Sequence, residues 1–123
     1  MYADVEELLV AYLVPVGTTS VELPNDAQNH LPFIRVTRIG GQDDYITDVA
    51  NVDLDCFGST RKQAKDTALA VQALMLQLRH TRVNGVLVDQ VETILGPTWV
   101  DYQDEHLKRY VLTYAVSSRV TAQ

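Results

Sequence analysis

Val5, Leu8, Leu9, Tyr12 and Leu13 recur at three- and four-residue spacing, which places them on one side of a short first helix. Asp4 with Glu7 three residues on has the spacing of a capping box, and Pro15 and Gly17 end the pattern. Thr19 to Leu23 permits a short strand before the turn-rich run Pro24-Asn25-Asp26-Ala27-Gln28-Asn29. From Phe33 to Ile39 the spacing changes to alternation, with Ile34, Val36 and Arg38 on one face and Phe33, Arg35, Thr37 and Ile39 on the other. Gly40-Gly41 closes this predicted strand. A second strand from Val49 to Phe57 turns Val52, Leu54 and Cys56 one way and Asp53, Asp55 and Phe57 the other. The two predict an antiparallel hairpin with a long tip.

Helical spacing returns from about Thr60 to Arg79, with Thr60 and Gln63 at capping-box distance. Ala64, Ala68, Val71, Met75 and Leu78 form one stripe. Leu69, Ala73 and Leu76 form a second apolar group well round the helix. One buried face needs only one stripe, so the second group is either covered within the chain or reserved for a partner. Val83 to Leu95 reads as a strand with room for a bulge, bounded by Asn84-Gly85 and Gly96-Pro97. A loop is expected from Gly96 through Glu105. Tyr110, Leu112, Tyr114 and Val116 then alternate with their neighbours in a clear last strand. The expected fold class is α+β, a mainly antiparallel sheet packed by two helices in a single domain over residues 1–123.

Composition narrows the functional classes. The chain has 123 residues, 46% of them hydrophobic and 21% charged, with 10 basic and 16 acidic side chains for a net charge of −6. A protein whose main work is gripping nucleic acid needs the opposite balance, because phosphates are neutralised by Lys and Arg. The single cysteine, Cys56, excludes an internal disulfide framework. The acidic start differs from a basic signal-peptide start, and no apolar run reaches membrane-spanning length, so a cytoplasmic place of assembly without membrane contact is expected.

Candidate chemistry is sparse. His30, His80 and His106 have no His or Cys at ligand spacing, and no cofactor signature is present. Asp53 and Asp55 share a strand face, with Asp43, Asp44 and Asp48 just before them. They read either as a solvated face or as an ion-binding or lumen-lining group. Arg61, Lys62 and Lys65 open the long helix, either solvated or poised for an acidic neighbour. Nucleophile-elbow, kinase and phosphate-loop signatures are missing, which leaves no enzymatic reading. Trp99, Tyr45 and Tyr102 in polar loops, together with the second helix stripe, are features an interface uses.

The block Phe33-Ile-Arg-Val-Thr-Arg-Ile-Gly-Gly, running into Val52-Asp-Leu-Asp-Cys-Phe-Gly-Ser-Thr-Arg and the Ala-rich helix, resembles the tail terminator proteins of long-tailed phages. So does the end, Gly96-Pro-Thr-Trp99 followed by Arg109-Tyr-Val-Leu-Thr-Tyr-Ala-Val. The resemblance covers most of the chain in element order and length. It implies a hexameric ring that caps the tail tube, contacts the major tail tube protein on one side and a head-completion or connector protein on the other, and passes DNA only in transit. It implies no catalysis and a place in the virion at the head-proximal end of the tail. Against that frame, Leu69, Ala73 and Leu76 are expected at the subunit contact. Gly40, Gly41, Asp43, Asp44, Tyr45 and Trp99 are expected in partner docking, and Asp53 and Asp55 in an acidic lumen. A neighbouring head–tail connector role is the alternative within the class, and a small ligand- or metal-binding domain the alternative outside it.

Overall fold

A computed structural model describes residues 4–43 and 47–119. Helix α1 spans Val5–Leu13, and the side chain of Asp4 accepts a hydrogen bond from the Glu7 backbone N–H at 3.1 Å. Strand β1 (Thr18–Ser20) precedes a single 3₁₀ turn at Ala27–Asn29. Strands β2 (Phe33–Asp43) and β3 (Thr47–Gly58) form the expected hairpin. Helix α2 (Arg61–Gln77) is followed by β4 (Thr81–Val83), β5 (Val86–Trp99) and β6 (Lys108–Arg119). The six strands make one mixed sheet in the order β1-β2-β3-β6-β5-β4, in which only β1 and β2 run parallel.

Period-two alternation divides the sheet into two unlike faces. Ile34 and Val36 of β2, Val52, Leu54 and Cys56 of β3, and Leu112, Tyr114 and Val116 of β6 share a buried cluster with Leu8, Leu9 and Leu13 of α1 and Ala64, Ala68, Val71 and Met75 of α2. Both helices therefore cover one face. Each fully buried Leu or Val contributes about 1.5–3 kcal/mol, and this layer is the main source of stability. A smaller cluster of Ala27, Phe33, Phe57 and Leu107 closes the opposite face at one end, under the 20–32 and 100–107 connections.

Three expectations are corrected. Gly40 and Gly41 lie inside β2, which continues to Asp43 past a register shift between Arg38 and Gly40. The bulge leaves Ile39 exposed and gives Gly41 a φ of +124°, where a Cβ would also collide with the Val49 carbonyl oxygen. Gly96 to Trp99 belongs to β5 rather than to a loop. The last of three irregularities in the β5–β6 register, between Leu95 and Thr98, absorbs Gly96 and Pro97, whose missing side chain and missing N–H argued against a strand. Finally, the segment around Val83 is a second hairpin. Asn84 (φ 51°) and Gly85 (φ 80°) supply the left-handed pair of a two-residue turn between β4 and β5.

Candidate functional site

Helix α2 begins where β3 ends, and its start is doubly capped. The Thr60 hydroxyl accepts from the Gln63 N–H at 3.1 Å, and the Gln63 carboxamide reaches back to the Ser59 N–H at 2.7 Å. These caps fix the rotation of the helix, so Ala64, Ala68, Val71 and Met75 face the sheet. At 100° per residue, Leu69, Ala73 and Leu76 then point roughly the opposite way. All three are exposed, Leu69 to 45% and Leu76 to 57%. Neither the sheet nor α1 covers this second stripe.

The same stripe begins with charge. Lys62 and Lys65 precede Leu69 on that side; Lys62 is bonded to Asp66 at 2.6 Å. Arg61 is exposed, as the sequence suggested, but its side chain also leans on aromatic residues of the sheet. Its guanidinium lies 4.6 Å from the Trp99 ring centre, and its Nε is 3.4 Å from the Tyr110 hydroxyl. Trp99 packs edge-on against Tyr110 with ring centres 5.7 Å apart. Trp99 is thus a half-buried strand residue rather than an exposed loop aromatic, because β5 extends far enough to carry it under Arg61.

The residues expected to dock a partner are not brought together. Gly40, Gly41 and Asp43 are exposed at one end of the sheet, where Asp43 pairs with Asp48. Trp99 pairs with Tyr110, which pairs with Cys56, eight residues along β3 from Asp48. At 3.3–3.4 Å per residue that is roughly 27 Å away. Asp44 and Tyr45 lie outside the described residues. Tyr102 sits 5.1 Å from Phe57 in an edge-on contact, with Arg109 over its ring.

Asp53 and Asp55 do share the face away from the helices, but not as free negative groups. Asp55 is buried and takes Nε and Nη2 of Arg35 at 2.9 and 2.6 Å. Asp53 accepts from the Thr113 hydroxyl at 2.6 Å. On this face one of the two charges expected to line an acidic lumen is already neutralised by its cross-strand neighbour. Asp48 turns to the other face, where Arg38 binds it with two 2.8 Å hydrogen bonds. That hydrogen-bonded pairing, helped by the charges of Asp48, Asp43 and Glu6, outweighs the opposing effect of burial and raises the Arg38 pKa, so Arg38 stays charged.

Sequence reading missed both Arg–Asp pairs. The signal was present, since Arg35 and Asp55 alternate onto the same face, but pairing them needs the hairpin register. The bulge at Ile39 shifts that register by one.

No three His, Cys, Asp or Glu among the described residues converge as a metal site. Among those residues, no helix is long and apolar enough to cross a membrane. His30 pairs with Asp26 at 3.1 Å on the surface, and His106 is exposed beside Glu105. An open cleft of about 540 Å³ lies between the 20–27 and 102–107 connections, with Leu23, Arg35, Tyr102 and Leu107 among its walls. The one cation in its lining, half-buried Arg35, is already paired with Asp55. Comparison with known proteins brings no protein-family model and no curated protein that matches this chain.

Proposed function

We propose that this chain is a structural subunit of a homo-oligomeric ring that caps the tail tube of a long-tailed phage. The ring would end tube elongation and offer its other side to the head-completion protein, with DNA passing through its centre. The observation that carries this reading is the α2 surface. A helix whose core stripe is already filled leaves Leu69, Ala73 and Leu76 in water, which is unfavourable for a subunit that stays alone. The resemblance of the β2–β3–α2 block to tail terminators supplies the particular assembly.

Leu69→Asp tests the reading. The side chain is exposed in the subunit, so the variant keeps its melting temperature within a few degrees. Analytical ultracentrifugation should show wild-type oligomers and a monomeric variant. Oligomers of unchanged size in the variant would remove α2 from the contact. Loss of thermal stability would place Leu69 in the subunit core instead.

A further inference from the structure

Two exposed helix stripes remain, and their patterns match. Along the outward side of α2 run Lys62 and Lys65, then Leu69, Ala73 and Leu76. Along the outward side of α1 run Glu7, then Ala11 and Val14, all exposed. Val14 is helical at the α1 C-cap and 59% exposed. One stripe is basic and then apolar, the other acidic and then apolar, each read from its N-terminus. Both helices turn their buried sides to the same core, so neither stripe can reach the other within a subunit.

Each start also carries one charge without a partner among the described residues. On α1, Asp4 caps the Glu7 N–H and Glu6 accepts from the Arg38 N–H at 2.9 Å, while the Glu7 carboxylate has no hydrogen-bond or ion-pair partner among the described residues. On α2, Lys62 is held by Asp66, while Lys65 has no such partner among them. Glu7 to Val14 spans about 10 Å and Lys65 to Ala73 about 12 Å at 1.5 Å per residue. Laid parallel, Glu7 meets Lys65, Ala11 meets Leu69, and Val14 meets Ala73 and Leu76. Laid antiparallel, Glu7 would fall against Leu76.

We propose that α1 of the next copy occupies the outward stripe of α2, parallel to it, with Glu7 against Lys65. The contact is heterologous, since each subunit gives one stripe and receives the other, so it propagates head to tail and closes when the rotation divides a full turn. It rests on the ring reading and names the surfaces that build the ring. Charge matching at its edge makes assembly faster and tighter at low salt.

Charge exchange tests it, with association of the full chain measured by sedimentation at low and high salt. Glu7→Lys and Lys65→Glu each weaken association by about tenfold or more. The double variant Glu7→Lys/Lys65→Glu regains most of it, with all three folded to the same melting temperature. Single variants that assemble like wild type, or a double variant as weak as either single one, would overturn this contact while leaving the ring reading intact. A wild-type chain that stays monomeric at every concentration and salt would overturn both.

Discussion

Cys56 faces the helices near the C-terminal end of β3, between Tyr110 on β6 and Ile34 on β2. Burial, reinforced by the nearby Asp55 carboxylate, pushes its thiol well above the ordinary range. Folded, it stays protonated through mildly alkaline pH; unfolded, it ionises near about 8.5. The unfolded state therefore gains from rising pH, and the contribution is complete below about pH 8.5 and lost progressively above it. Chemical denaturation between pH 7 and 10 should show stability declining from about pH 8.5. In Cys56→Ala that onset is absent, and only a later decline remains. Its source is Tyr12 and Tyr114, whose pKa values burial also raises. An unchanged onset in Cys56→Ala would contradict the assignment. A disulfide-exchange reagent should likewise label wild type only as fast as it opens.

At the level of elements, the β2–β3 hairpin carries a buried ion pair and α2 an exposed one, and their magnitudes separate them. Asp48 is almost wholly buried where the core face of β3 runs out, and Arg38 is about one-third exposed. Asp48→Ala removes two charge-assisted bonds but lets Arg38 turn to water, so the cost is about 2 kcal/mol rather than that of a stranded buried charge. Asp66→Ala removes an ion pair exposed on both sides and should change stability by less than about 0.5 kcal/mol. Urea midpoints of the two variants check the contrast; equal shifts would contradict it. The helices and the alternating strands β2, β3 and β6 were legible because their apolar spacing has one period and one buried face. The β4–β5 region was not, because bulges around Ile94 and Gly96-Pro97 break the alternation on which strand assignment depends. For the same reason Trp99 was read as a loop residue rather than as the end of β5. The stripe Leu69-Ala73-Leu76 was readable as surplus from the sequence, whereas only the packed α1 shows that it stays uncovered.

Viewed whole, the subunit spends one sheet face and one side of each helix on its own core. The outward sides of α1 and α2 then remain as two complementary stripes on one molecule. The opposite sheet face is polar, with the Asp55 charge neutralised by Arg35 and the Asp53 carboxylate hydrogen-bonded by the Thr113 hydroxyl. In the ring we propose, such a face would suit a passage wall that does not hold DNA, since unpaired cations would bind phosphates. Ring formation is the central claim, and negative-stain electron microscopy of the purified chain at high concentration tests it most directly. The account predicts closed particles of six-fold symmetry with an open centre. A field without rings, with the chain folded and monodisperse in the same buffer, would contradict it.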